Sequence, residues 1–490
     1  MLNKRSTEQL ALGLIVFFTA IHLLMGVFLP LSTDEAHYAL YGYYPALSYF
    51  DHPSMVGWLQ ALAQMVSEQG WALRLFPALI HAIVSVLLYR YSNRWFESNA
   101  PRVGLLAVAL YYTTTIAQLM GIGLVPDGPL VLFALLVVNT TYELLKKDDW
   151  KYWLQLGLWL GLAGISKYTA ITLVFSFVLS FLLQGQWQRL FSVKAIIAAL
   201  IALIVISPVL LWNYQHEWLS FKYQIDHGVS NDNWQLKKAM MFQAMLIASY
   251  GPFVYFIGLF AIFAALRQRS LITNLLLIFA LPVLLLFSYA AGKGQSFPHW
   301  TLSGLALLCP VMAACLLDLW NKKAVRILTW VTLGYGVLIV GLLHLVLTAP
   351  IPFPDYKHPA KDLFGWGEAA ERAMTLNQEY GYEERPIIFT HKWFYASRLA
   401  WYARPAPVIV LDNRYDQMDI WYGSPEPDMS GILVFPTEGD DKQPEQLRDF
   451  KSCNKVDEFK AMRAGRPVER FEFYHCQGLR NMSRYQQDGM

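Results

Sequence analysis

Charged residues are scarce in this 490-residue sequence: they make up 15% of the chain, whereas hydrophobic residues make up 55%. Soluble globular proteins carry about 25% charged residues. The shortage of charge therefore excludes an ordinary soluble domain and indicates a membrane protein with several spans. The net charge of +3 says little about partners, and no nucleic-acid partner is expected.

Cysteines and nucleotide-binding motifs are also rare. The four cysteines are too few for a disulfide scaffold, and no CxxC or Cys/His spacing indicates structural zinc. Cys453 and Cys476 lie in the polar tail and would form a disulfide if that tail lies in an oxidising compartment. Nothing matches the glycine loop of a P-loop.

Long apolar runs dominate the first 350 residues. A membrane span needs about 20 mostly apolar residues. Eleven spans are predicted: 10–29, 71–89, 103–120, 128–145, 152–165, 168–183, 195–212, 244–266, 271–290, 298–317 and 327–347. The first is too long for a signal peptide and lacks a small-residue cleavage site, so it is expected to be retained. Gly157 and Gly161 form a GxxxG spacing, which predicts close helix packing.

The distribution of lysine and arginine predicts the topology. With the N-terminus inside and alternating spans, the inner segments hold 15 of these residues, and the outer segments before the tail hold 6. Positive charges favour the cytoplasmic side. We therefore predict a mainly α polytopic inner-membrane protein with a membrane domain at 1–348, a first periplasmic loop at 30–70 and a periplasmic domain at 349–490.

The tail has the composition of a small α/β domain. The stretches "PIIFTH", "APVIVLD", "GILVFP" and "RFEFYHC" predict short buried strands. "WGEAAERAMTLNQEYG" predicts an amphipathic helix that ends at glycine, and "WFYASRLAWYAR" predicts a second helix.

Ionisable residues recur at the predicted outer ends of the spans. Such residues at membrane depth are costly and are functional by default. They are Asp34, Glu35, Asp51, His52, Asp127, Lys167, His216, Glu217, Lys293 and His299.

Structural roles remain open for several of these residues. Lys167 and Lys293 would also fit helix-end lysines that snorkel to the interface. Asp127 precedes Gly-Pro and would fit a helix N-cap. Capping explains one acid of Asp34-Glu35, but it does not explain a second acidic site in the same aromatic loop.

Acids and cations beside a bilayer suit one particular chemistry. Nucleotide donors are absent outside the cytoplasm, so an activated sugar must arrive on a lipid carrier. A polyprenyl phosphate is already a stable leaving anion, so its departure needs no general acid, in contrast to glycoside hydrolysis. A carboxylate base for the acceptor hydroxyl and fixed cations for the phosphate are sufficient.

Six short stretches carry a family resemblance over about residues 10 to 320. They are Asp34-Glu35, "YFDHP", "PDGPL", "SKYTA", "PVLLWNYQHEW" and the segment from Lys293 to His299. Their order and spacing resemble bacterial GT-C membrane glycosyltransferases, namely the protein O-mannosyltransferase-like group and the lipid A aminoarabinose transferase. The resemblance implies a GT-C fold and an inverting transfer from a polyprenyl-phosphate sugar.

The resemblance also implies roles for individual residues. Asp34 would be the catalytic base, with Glu35 as its neighbour in the motif. The donor-binding residues would be Asp51, His52, Asp127, Lys167, Lys293 and His299.

The second motif of the first loop departs from the aminoarabinose enzyme. That enzyme has Phe-Glu-Lys-Pro where this chain has Phe50-Asp51-His52-Pro53. An unperturbed histidine is mostly uncharged at neutral pH, so Lys167 or Lys293 would supply the cation. No metal ligand or cofactor is assigned, although His37 with Asp34, Asp51 and His52 would suit a divalent ion.

The tail resembles the short soluble domain of bacterial members of this family rather than the MIR module of eukaryotic protein mannosyltransferases. The expected acceptor is therefore lipid A, the lipopolysaccharide core, O-antigen or another envelope glycan, with protein less favoured. Two other functions remain open. A flippase for lipid-linked sugar would place its site at the midplane and show internal repeats, and no repeat relates the two halves. A nonenzymatic assembly factor would leave the ionisable residues unexplained.

Overall fold

The computed structural model describes residues 4–228, 233–268, 270–437, 443–480 and 485. The chain forms two compact units. The membrane unit comprises Met1–Gly26, Ala46–Leu59 and Arg74–Leu343, and the mixed unit comprises Val27–Pro45, Gln60–Leu73 and His344–Met490.

Twenty α-helices, six short 3-10 helices and five strands occur in the described residues. The first ten helices are α1 Lys4–Phe28, α2 Thr33–Tyr43, α3 Met55–Gln64, α4 Gly70–Leu73, α5 Leu75–Trp95, α6 Arg102–Tyr112, α7 Thr115–Ile122, α8 Asp127–Lys146, α9 Trp150–Ser166 and α10 Ile171–Leu183. The others are α11 Val193–Gln215, α12 Leu219–Gly228, α13 Leu236–Tyr250, α14 Pro252–Gln268, α15 Leu271–Ala290, α16 Leu302–Asp318, α17 Lys323–Thr348, α18 Trp366–Glu379, α19 Trp393–Ala403 and α20 Gln417–Tyr422. The strands are β1 Ile388–Thr390, β2 Val408–Val410, β3 Gly431–Pro436, β4 Phe450–Arg463 and β5 Arg466–Leu479.

Each of the eleven predicted spans is helical, but the count of eleven is not confirmed. Within the described ranges, seven helical segments are long and apolar enough to cross a membrane. Two bent helix pairs raise the number to nine if each pair is one span. The remaining predicted segments correspond to α9 and to α10, which are shorter.

Both bent pairs have a local cause. The α6 and α7 axes differ by 79° across Thr113 and Thr114, where the Gln118 side chain donates to the carbonyl of Tyr112 at 2.7 Å. The α13 and α14 axes differ by 109° at Gly251, which has φ +82° and precedes Pro252. A left-handed glycine followed by proline cannot continue a helix.

The GxxxG spacing marks a close helix contact, as predicted. Helix α9 packs against α11, and a Cβ atom on Gly157 would lie 2.3 Å from the carbonyl oxygen of Ala198. A Cβ atom on Gly161 would lie 2.6 Å from the side chain of Val205. Larger residues at either glycine would push the two helices apart.

The tail contains the predicted α/β domain with one additional strand. Its sheet has the order β2-β1-β3-β5-β4, in which β1 pairs in parallel with β2 and β3, and the remaining pairs are antiparallel. The four predicted strands and both predicted helices are present. Cys453 of β4 lies opposite Cys476 of β5, and the two form a disulfide.

Helix α2 of the first loop completes the hydrophobic core of this mixed unit. Its Ala36, Ala39 and Leu40 are fully buried and share a core with residues of α18, α19 and the sheet. The sequence assigned the whole loop to the membrane domain. In the structure, two parts of it belong instead to the compact unit of the tail, because the small side chains of α2 pack against α19.

Candidate active site

A buried ion pair joins two of the predicted donor-binding residues. Asp127 is the first residue of α8, and Lys167 directly follows α9 in an extended conformation. The Nζ atom of Lys167 lies 2.8 Å from both carboxylate oxygens of Asp127. Asp127 is 3% exposed and Lys167 is 5% exposed. Lys167 therefore does not snorkel, and the Asp127 carboxylate binds an ammonium group rather than serving only as a cap.

Two aromatic rings lie near this ammonium group. Lys167 Nζ lies 5.4 Å from the ring centroid of Trp300 and 6.0 Å from that of Phe287. A cation within about 6 Å of an aromatic face is attracted by the ring. His299 precedes Trp300 on a short 3-10 turn, and the centroids of their two rings lie 6.1 Å apart. The structure thus brings Asp127, Lys167 and His299 together.

The loop that contains Asp51 and His52 is held by backbone contacts. Tyr49 N–H donates to the His52 carbonyl at 3.1 Å, and the Gln224 side chain donates to the Asp51 carbonyl at 2.8 Å. The side chains of Asp51 and His52 are half-buried. Ser48, at the start of the loop, lies 3.5 Å from the hydroxyl of Tyr168, the residue after Lys167. These contacts fix the loop beside the "SKYTA" stretch.

Lys293 lies on the turn after α15. A second lysine, Lys238 of α13, contacts this turn and was not predicted from the sequence. Lys238 Nζ donates to the carbonyl oxygen of Lys293 at 3.3 Å, and Gln235 N–H donates to that of Gly292 at 2.7 Å. Lys293 and Lys238 are both half-buried. Sequence reasoning also missed Trp300, although its position beside His299 in "FPHW" was a usable signal.

Helix α2 assigns different roles to the two predicted catalytic acids. Glu35 is 7% exposed, and its Oε2 accepts hydrogen bonds from the Ser32 backbone N–H at 3.0 Å and the Ser32 hydroxyl at 2.9 Å. These bonds form a capping box at the start of the helix. Glu35 is therefore the acid that capping explains. Asp34 lies in the same first turn and is half-buried.

His37 has a partner within the mixed unit. Its Nδ1 lies 2.9 Å from the hydroxyl of Ser397, and its ring packs against Trp393 at 5.3 Å and Tyr41 at 5.0 Å between centroids. In the part of the chain that is described, no group of three or more His, Cys, Asp or Glu side chains is arranged to hold a metal ion. The convergence of Asp34 with Asp127 and Lys293 stays a prediction.

Comparisons with known proteins agree with this architecture. The family model for dolichyl-phosphate-mannose-protein mannosyltransferase matches residues 51–212. The lipid A galacturonosyltransferase RgtD of Rhizobium johnstonii is 25% identical over 419 residues, which cover 83% of this chain and 85% of the relative. The lipopolysaccharide core galacturonosyltransferase RgtA of the same organism is 22% identical over 211 residues, or 42% of each chain.

A solved structure shares the fold over nearly the whole chain. ArnT from Cupriavidus metallidurans bound to undecaprenyl phosphate aligns with a TM-score of 0.63 and 14% identity, covering 94% of this chain and 98% of that one. The predicted mainly α membrane fold with a small α/β domain is confirmed. Together the relatives and the shared GT-C fold support a multi-span membrane glycosyltransferase.

Proposed function

We propose that the protein transfers a sugar from a polyprenyl-phosphate donor to a lipid-anchored envelope glycan, with inversion, at the periplasmic face of the inner membrane. Two curated relatives are named for galacturonosyl transfer to lipid A and to the lipopolysaccharide core. The structural relative was solved with undecaprenyl phosphate bound. These names support the donor and acceptor classes, and galacturonic acid is the first sugar to test.

The buried pair of Asp127 and Lys167 is the observation that carries the proposal. Transferring the two charged groups from water to a buried site costs roughly several kcal/mol per ion, and their mutual attraction must offset this cost. Buried charges held by a specific partner cluster at functional sites. Asp127 fixes the Lys167 ammonium against Trp300, which suits a site that stabilises a departing phosphate.

The reaction needs one further group, a base for the acceptor hydroxyl. Asp34 has this role in the proposal, and it removes the hydroxyl proton as the acceptor oxygen attacks the anomeric carbon. The bond between that carbon and the phosphate oxygen breaks, and the polyprenyl phosphate leaves as an anion. In the proposal, Lys293 and His52, both half-buried, contact the phosphate.

Direct assay of the purified protein tests this function. The full chain in lipid nanodiscs would be supplied with polyprenyl-phosphate galacturonic acid and the glycolipid fraction of cells that lack the gene. We expect a glycolipid product heavier by one galacturonosyl residue, detected by mass spectrometry. Matched reactions with prenyl-phosphate mannose, glucose and aminoarabinose would identify another sugar. Movement of intact donor across the bilayer without any glycolipid product would contradict the proposal and favour a flippase.

Topology mapping tests the periplasmic placement. A phosphatase reporter fused after Pro350 is expected to be active, and the same reporter fused after Lys147, between α8 and α9, is expected to be inactive. The disulfide between Cys453 and Cys476 supports an oxidising compartment for the tail. An inactive phosphatase after Pro350, together with activity at the same position of a reporter that works only in the cytoplasm, would contradict this placement.

A further inference from the structure

A pocket lies inside the mixed unit, between Pro30 of the first loop and residues of the tail. Its volume is about 310 Å³, near the lower end of the range of small-ligand sites. The wall includes Pro30, Phe364, Gly367, Tyr402 and Met462. Two of these residues are accessible to solvent, since Met462 is 58% exposed and Tyr402 is 38% exposed.

One wall of the pocket belongs to the chain segment that carries Asp34. The Leu31 N–H group lies 3.4 Å from the hydroxyl of Tyr402, which fixes the start of the loop against the pocket wall. Pro30 is in the wall itself, and Asp34 is four residues further along. Four residues span at most about 14 Å, so the backbone of Asp34 lies within about 14 Å of the pocket wall at Pro30.

The pocket also lies next to the ends of two candidate spans. Pro30 follows the end of α1 by two residues. At the end of α17, Arg463 Nη2 donates to the carbonyl oxygens of Leu347 at 2.7 Å and Ala349 at 3.0 Å. The same guanidinium lies 4.4 Å from the ring centroid of Phe364, in the pocket wall. A molecule bound here would therefore lie near the ends of both candidate spans.

The chemistry of the wall is mixed in the way that sugar sites are. Phe364, Tyr402 and Met462 offer apolar surface against which the C–H face of a sugar ring can pack. Helix α18 begins at Trp366 in the pocket wall, and no side chain caps the N–H groups of its first turn. The Glu368 carboxylate is exposed at the same wall and accepts hydrogen bonds from hydroxyl groups.

We propose that this pocket, which we call the headgroup pocket, binds the sugar headgroup of the membrane-anchored glycolipid acceptor and presents it to Asp34. The inference rests on the proposed function and adds to it the place where the acceptor is recognised. It predicts that the tail determines acceptor affinity, whereas the membrane unit determines donor affinity.

Gly367 gives a substitution that fills the headgroup pocket. The nearest atoms to a Cβ atom there would belong to the Tyr402 ring, at 3.7 Å, which is an ordinary contact. Gly367→Leu is expected to raise the acceptor KM about tenfold or more, while the donor KM and the rate at saturating acceptor stay within about twofold. Gly341→Leu is the matched control, because a Cβ atom on that helical glycine meets nothing within 4 Å. The assay uses the nanodisc enzyme, polyprenyl-phosphate galacturonic acid or the sugar identified above, and the same glycolipid fraction.

A second experiment blocks the pocket after the protein has folded. Met462→Cys adds an accessible thiol, since Cys309 and Cys315 are buried and the other two native cysteines form a disulfide. Labelling with a bulky maleimide is expected to raise the acceptor KM about tenfold relative to the unlabelled variant. Labelled Thr375→Cys, at an exposed position of α18, should behave like the native enzyme.

The outcomes separate the two proposals. An acceptor KM that stays unchanged in Gly367→Leu and in labelled Met462→Cys, with active native enzyme, would overturn the headgroup pocket and leave the glycosyl transfer intact. Native enzyme that forms no product with any of the donors would overturn the proposed function, and the acceptor role of the pocket with it.

Discussion

Asp34→Asn is expected to lower the rate of sugar transfer by about a thousandfold, because a positioned general base contributes roughly 10²–10⁴ to a rate. Asparagine has the shape of aspartate but cannot accept the proton of the acceptor hydroxyl. Asp34 lies in the first turn of α2 beside the capping box, and its substitution leaves the bonds between Ser32 and Glu35 in place. Binding of the prenyl-phosphate donor should therefore be unchanged, as measured by titration of the purified variant.

Glu35→Gln is the matched control for this substitution. Glutamine also completes a capping box, so the helix and the transfer rate should be retained within about twofold. Full turnover by Asp34→Asn would exclude Asp34 as the base. A large loss of activity in Glu35→Gln, at an unchanged melting temperature, would instead assign the catalytic role to Glu35.

Asp127→Asn is expected to produce the largest loss of stability among the variants considered. It leaves the buried Lys167 ammonium without its counter-charge, and breaking a buried pair in this way costs about 3–5 kcal/mol. Lys167→Met should destabilise the protein by a similar amount for the converse reason. Thermal unfolding in one detergent, followed by tryptophan fluorescence, would compare both variants with the native protein.

The double variant Asp127→Asn/Lys167→Met separates stability from function. It removes both charges, so most of the lost stability should return, since a buried pair can often be replaced by neutral groups at little cost. Transfer should remain at least about a hundredfold below the native rate, because the phosphate loses an oriented cation. Normal transfer by a stable double variant would make the pair a purely structural feature.

The local patterns of the sequence predicted much of the membrane unit. Hydropathy located all eleven helical segments, and the spacing of Gly157 and Gly161 identified the contact between α9 and α11. A hydropathy profile identifies apolar segments but not the angles between helix axes, so the bends at Thr113 and at Gly251 were not predicted. The proximity of Asp127 and Lys167, 40 residues apart, was only a hypothesis until the helices were placed.

Long-range packing explains the remaining differences. Strand β4 was missed because most of its side chains are exposed or half-buried, so it lacks the apolar alternation that marks a strand. The grouping of α2 with the tail has no local signal, since Ala36 and Ala39 are unremarkable until α19 lies against them. The sequence also could not distinguish the roles of Asp34 and Glu35. Only the hydrogen bonds of Ser32 show that Glu35 is the acid in the capping box.

The shared core of α2 and the tail limits how this enzyme can be recombined with its relatives. A chimera that exchanges only residues 349–490 would join a foreign domain to the native α2 and α4, whose buried side chains are fitted to this one. A workable exchange must also transfer residues 27–45 and 60–73, and it would then move Asp34 together with the headgroup pocket. Acceptor preference and the candidate base would therefore be inherited as one module, even though 300 residues of chain separate their parts.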